Sequence, residues 1–254
     1  MTKSLAVLCS TIALASTAPA TTIAHWQFND LNDSSGNGHN LTDSNTVASL
    51  NGGRMDFTST TGTGLVSALD NAAWDDTSFT VEAIFSITST NSLSSIVTHM
   101  TSGAAGRQWF FGTSASGVPQ LIINPSSGTE STFLSSFSAL TANTNYYFAA
   151  SVNLAAINEA DRITFYLRNL DETDSPFLTS KVSTTFTGFA SSSSVLAIGS
   201  TGHESSRFTG SIDEIRFSDT NLGLNELLVT VPEPSHALLS LAGISLMALR
   251  RKRA

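Results

Sequence analysis

A period of two governs the middle of this chain. In RITFYLRN (162–169), Ile163, Phe165 and Leu167 fall on one face of an extended strand, and Arg162, Thr164, Tyr166 and Arg168 fall on the other. SFTVEAIFSIT (78–88) repeats the pattern with Phe79, Val81, Ala83, Phe85 and Ile87. Further segments of strand character occupy 23–28, 54–58, 93–100, 107–114, 119–124, 145–154, 177–186, 195–200 and 210–218, divided by clusters of Gly, Asn, Asp and Ser. Against these stands one short helical candidate, 224–229. Half-buried antiparallel strands in this number are enough for two packed sheets, so the expected class is an all-β, two-sheet antiparallel sandwich. No charged or Pro-rich linker divides the run, which reads as one domain over 21–230.

The two ends are of a different kind. Residues 1–20, MTKSLAVLCSTIALASTAPA, carry a basic Lys3, an apolar core over 5–14 and the small-residue site Ala18-Pro19-Ala20, the pattern of a signal peptide and of export. Cys9, the only cysteine, lies inside that segment, so the body has no disulfide and no Cys-based zinc site. Leu8, standing where a small residue would be expected, argues against a lipid-modified Cys9.

At the other end, 231–254 reads VPEPSHALLSLAGISLMALRRKRA. Thirteen uncharged residues, 237–249, would make a helix of about 20 Å, short of the roughly 30 Å hydrocarbon core of a bilayer. Arg250, Arg251, Lys252 and Arg253 would stop on the cytoplasmic face, leaving Pro232, Glu233 and Pro234 outside as an extended tripeptide. Motif, order and terminal position resemble the PEP-CTERM sorting signal of bacterial exported proteins. That resemblance implies an exosortase-type membrane protease as partner, transient inner-membrane association, and delivery to the cell surface or an extracellular polysaccharide matrix.

Without its two ends, the body holds seven basic against nineteen acidic residues, a formal net charge of −12. Such a surface repels phosphate backbones and anionic lipid, which argues against nucleic-acid binding.

HWQFNDLNDSSGNGHNLT near the start, FTVEAIF in the middle, and VLAIGS with FTGSIDEIRFSDTNL near the end together resemble the laminin-G-like, concanavalin A-like jelly-roll superfamily. The resemblance implies a jelly roll whose first and last strands lie side by side, and a role in carbohydrate binding or adhesion. Laminarinase-type enzymes of that fold need paired carboxylates, commonly a Glu-x-Asp-x-Glu run, and none exists here. Glu82 stands alone among apolar neighbours, and Asp213 and Glu214 are adjacent, which on a regular strand sends them to opposite faces. His-Glu-x-x-His, Gly-x-Ser-x-Gly and the phosphate-cradling Gly-rich loop are also missing, and His25, His39, His99 and His203 have no metal spacing. The expectation is a non-catalytic protein. A divergent polysaccharide-degrading enzyme and a purely structural matrix protein are the alternatives.

Calcium takes six to eight oxygen ligands, and the Asn- and Asp-rich stretch 29–38 has that composition. If the end strands pair as the resemblance implies, Asp213 could join Asp30 at a structural calcium ion. The competing reading is an Asx-turn loop that caps its own backbone. For sugar contacts the candidates are Trp109 and Tyr147, because one residue of each pair Trp109-Phe110 and Tyr146-Tyr147 must face away from the core.

Overall fold

Two antiparallel sheets face each other in the computed structural model, which describes residues 21–44, 48–58, 66–100, 107–126, 129–190, 193–200 and 206–230. Residues 1–20, expected to be a signal peptide, the Pro232-Glu233-Pro234 motif, the Arg250 to Arg253 cluster and His203 lie outside these residues. One sheet takes β1 (Thr22–Trp26), β3 (Ser49–Leu50), β4 (Met55–Phe57), β6 (Ser78–Ile87), β11 (Asn145–Asn153), β12 (Ile163–Asn169), β13 (Leu178–Val182) and β15 (Gly210–Ser218). The other takes β2 (Thr42–Asp43), β5 (Val66–Ala68), β7 (Ser94–Met100), β8 (Arg107–Thr113), β9 (Pro119–Ile123), β10 (Ser131–Leu134) and β14 (Leu196–Ile198). Their orders are β13-β12-β11-β6-β15-β4-β3, with β1 also on β15, and β10-β9-β8-β7-β14-β5-β2.

The two-residue period does what it predicts. Phe79, Val81, Ala83, Phe85 and Ile87 of β6 are fully buried against Trp109, Phe111, Leu121 and Ile123 of the facing sheet. Aromatic rings fill the middle of this layer: Phe79 stacks on Trp109 at 5.3 Å and on Phe217 at 5.2 Å, and Phe111 stacks on Phe148 at 4.4 Å. Stacked and offset rings bury large apolar area in fixed geometry, which suits a core without disulfides.

First and last strands pair antiparallel, Trp26 opposite Ile215, as the resemblance implied. The remaining edge of β15 is shared with β4 over Gly210 to Ile212. Between Ile212 and Glu214 the register against β6 shifts by one residue. Ile212 and Ile215 both stay buried, so the extra residue puts Asp213 and Glu214 together on the outer face. The expectation that these two carboxylates point to opposite faces is thereby corrected, and the bulge is the reason.

Beyond β15 the chain turns back across the outer face of the eight-stranded sheet. The segment 224–229 contributes only the 3-10 turn Leu224–Glu226 in place of a helix, and its apolar residues pack downwards. Leu222 and Leu227 are buried in one cluster with Tyr147, Ala149 and Tyr166, and Ile84, Leu228 and Val229 pack against it. This strap, residues 219–230, closes much of the face that an alternating strand would otherwise present to water.

Candidate functional site

Glu82 sits under the strap. It has no solvent exposure, and its carboxylate accepts the Tyr147 hydroxyl at 2.5 Å, the Leu228 N–H at 2.8 Å and the Arg216 Nε. Arg216 in turn donates to the Glu226 carbonyl at 2.8 Å. Burial, and then the Glu82 charge, push the Tyr147 hydroxyl well above the usual tyrosine range, so it stays a donor. The cluster fastens the strap to the sheet and commits the carboxylate to protein donors.

The two aromatic candidates are corrected by burial. Trp109 has no exposed surface: its ring is stacked in the inter-sheet core and its Nε1 donates to the Trp74 carbonyl at 3.0 Å. Tyr147 does face away from that core, as alternation requires, yet the strap covers it completely. All three Trp and all three Tyr side chains are buried, and of the fifteen Phe only Phe133, Phe177 and Phe186 are partly exposed.

Asp30 and Asp213 have separate surroundings. The Asp30 carboxylate accepts the Asn32 N–H at 2.8 Å and the Asn32 Nδ2 at 2.6 Å, the geometry of an Asx turn. The organiser of that loop is a residue the sequence reading left unassigned, Asp33. It accepts the His25 N–H, the Ser35 N–H and hydroxyl, and the His39 N–H, all between 2.8 and 3.0 Å. Burial alone would raise the Asp33 carboxyl, but these hydrogen bonds outweigh it and hold the group below the usual range. Asp30 and Asp33 therefore accept hydrogen bonds from the loop and its flanks, and among the described residues there is no group of three His, Cys, Asp or Glu side chains that could hold a metal ion. The charged groups felt by Asp213 are Arg54, Asp56 and Glu214.

Two of these, Arg54 and Asp56, border an open cleft of about 560 Å³ where β4, β6 and β15 end, lined also by Ser86, Thr88, Asn143 and Ser211. Backbone chemistry shapes it. Gly210, at φ +142°, passes so close to β6 that a Cβ there would lie 2.0 Å from the Ser86 carbonyl oxygen. Asn143 takes the left-handed conformation at φ 60° and donates its N–H to the Ile87 carbonyl at 2.7 Å. Thr88 donates both its N–H and its hydroxyl to the Thr209 carbonyl. The hydroxyls of Ser86, Ser211 and Thr209 and the side-chain amide of Asn143 have no hydrogen-bond partner among the described residues. Four sequence-distant segments supply these groups, so no local motif announces the cleft.

A second concavity of about 240 Å³, lined by Gln27, Asn29, Asp30, Asn32 and Ser34, lies on the Asx-turn loop. Its polar groups are largely used by the loop itself.

The fold has known counterparts. Domain 4 of AbnA, a GH43 extracellular arabinanase from Geobacillus stearothermophilus solved with arabinotriose, is similar over 84% of this chain and 98% of its own, with TM-score 0.55 and 16% identity. A structure of botulinum neurotoxin type C, whose cell entry depends on two ganglioside molecules, aligns with TM-score 0.54 and 17% identity over 80% of this chain. The binding domain of botulinum neurotoxin DC with SialylT aligns with TM-score 0.52 and 14% identity over 81%. This chain spans only about half of either toxin chain, 49% and 50%. No curated protein matches it in sequence. The profile of Laminin_G_3 matches residues 59–227, from just past β4 to the strap, and the chain belongs to that family, the Concanavalin A-like lectin/glucanases superfamily.

Proposed function

We propose that this chain is an exported, non-catalytic protein of the cell surface or extracellular matrix that binds polysaccharide through the cleft between β4, β6 and β15. The observation that carries the reading is the cleft's chemistry: an open concavity whose hydroxyls and amide are left free by the protein suits a polyhydroxylated ligand. Arabinotriose on the arabinanase domain and gangliosides on the neurotoxin agree with that ligand class on this fold. Export rests on residues 1–20, and sorting by an exosortase-type protease rests on Pro232, Glu233 and Pro234. The non-catalytic reading is supported by Glu82, whose carboxylate fastens the strap and is closed to a substrate.

The test is binding of the purified protein to a panel of neutral and acidic polysaccharides, with and without chelator, with reducing ends assayed in the same samples. Binding without new reducing ends, abolished by Ser211→Trp, is the expected result. New reducing ends would replace this reading with a hydrolytic one on the same fold. Loss on chelation would add the structural calcium ion, and no binding at all would leave a structural matrix role.

A further inference from the structure

Asn-Gly occurs twice in the chain, at Asn37-Gly38 and Asn51-Gly52, and the fold treats the two differently. The dipeptide is reactive because glycine carries no side chain to shield its nitrogen, which can attack the asparagine amide carbon. Asn51 closes the hairpin between β3 and β4. Its N–H donates to the Arg54 carbonyl at 2.8 Å, and Gly52 and Gly53 turn the chain at φ +61° and +86°, the signs of a type I′ turn. β3, the outermost strand of its sheet, is two residues long, and Ser49, Leu50, Asn51 and Gly52 are all exposed. Such an edge opens at the low end of the range of local stabilities. The Gly52 N–H has no hydrogen-bond partner among the described residues, so the attacking nitrogen is free.

The Asn51 side-chain amide has one partner, the Asp56 carboxylate, to which Nδ2 donates at 2.8 Å. A carboxylate in that place stabilises the positive charge that gathers on the nitrogen as it leaves. Asn37 and Gly38 are exposed as well, so exposure does not separate the two sites. Hydrogen bonding does. The Asn37 Nδ2 is held by the Thr22 and Ile23 carbonyls of β1 at 2.9 and 3.0 Å, and its N–H by the Ser35 hydroxyl at 3.3 Å. We infer that Asn51 is a site of spontaneous deamidation and that the fold protects Asn37 from the same reaction. The Gly52 nitrogen gives up its proton and bonds to the Asn51 Cγ, while the Cγ–Nδ2 bond breaks and ammonia departs with that proton. Water then opens the cyclic imide to aspartate or isoaspartate, with no oxidant, reductant or cofactor. The product sets a second carboxylate against Asp56, which pairs with Arg54 at 3.0 Å in the wall of the cleft. A hydrogen bond becomes a like-charge contact, whether or not the cleft takes a polysaccharide.

The whole chain is aged at neutral and at mildly acidic pH, native and in urea, and isoaspartate at both sites is read by peptide mapping with isoaspartyl methyltransferase. In urea the two sites are expected to react alike. In the native protein Asn51 is expected to react about fivefold faster than Asn37, the factor for one net hydrogen bond, and more slowly in acid, where fewer Gly52 nitrogens lose their proton. Asn51→Ser removes that signal and leaves Asn37 as it was. Asn51→Asp, one of the two products, is expected to melt about 2–4 °C below the parent, with the gap narrowed by salt. Equal rates at the two sites in the native protein, or Asn37 reacting first, overturn the protection. A native Asn51 that stays intact while the urea samples react overturns the site itself. An Asn51→Asp melting temperature equal to the parent's overturns the like-charge contact with Asp56 and leaves the deamidation site standing.

Discussion

A carboxylate with no access to water is tolerated only when each of its oxygens is used, and Glu82 meets that condition with a guanidinium, a phenol and a backbone N–H. Removing one side of such a pair leaves the other charge buried and unanswered. Glu82→Ala is therefore expected to destabilise the protein by about 3–5 kcal/mol in chemical denaturation, because Arg216 and Tyr147 lose their acceptor at once. Glu82→Gln keeps the shape and an acceptor oxygen, and should cost less. A change of similar size in both variants would mean that the charge, and not the packing, governs the site. From sequence only half of this was legible. Alternation placed Glu82 on the outer face among apolar neighbours, but Arg216 is 134 residues away and no local pattern pairs them. Trp109 and Tyr147 fail for different reasons: alternation leaves open which of Trp109 and Phe110 faces the core, and for Tyr147, which does face away, it is silent on what covers that face.

At the scale of elements, each of the eleven strands expected from alternation forms, within a few residues of its expected ends. The four that alternation missed, β2, β3, β5 and β10, span only two to four residues each, too short to display a period. The strap was misread for a physical reason. Within 224–229, Leu224, Leu227 and Leu228 stand at the i, i+3, i+4 spacing of a helical face, yet the strap's conformation is set by hydrogen bonds to the sheet beneath. Thr80 accepts the Leu222 N–H and donates to the Thr220 carbonyl, both at 2.8 Å. The structured domain thus extends to Thr230, well beyond the last strand. Leu227→Ala should cost about 2–5 kcal/mol, the range for truncating a buried leucine, and should raise hydrogen exchange at Leu228. A surface-like effect below about 0.5 kcal/mol would mean the strap does not hold to the sheet in solution.

On the scale of the whole molecule, the chain enters at one end of the sandwich and the cleft lies at the other. Thr21 and Asp219 hold each other: the Thr21 N–H donates to the Asp219 carboxylate at 3.0 Å, and the Asp219 N–H to the Thr21 carbonyl at 3.1 Å. Both lie beside Ser218, which pairs with Thr80. Ser86, on the cleft, is six residues farther along β6, roughly 20 Å away. Bulk added at Thr21 therefore stays clear of a ligand in the cleft. A globular domain fused before Thr21 is expected to leave glycan affinity unchanged. A polymer coupled through Thr88→Cys in a Cys9→Ser background is expected to abolish it, Thr88 being exposed on the cleft rim. Titration of one oligosaccharide against both derivatives reads the difference directly. Blocking by the fusion, with binding retained by the Thr88 conjugate, would move the site to the opposite end, toward the paired ends of β1 and β15.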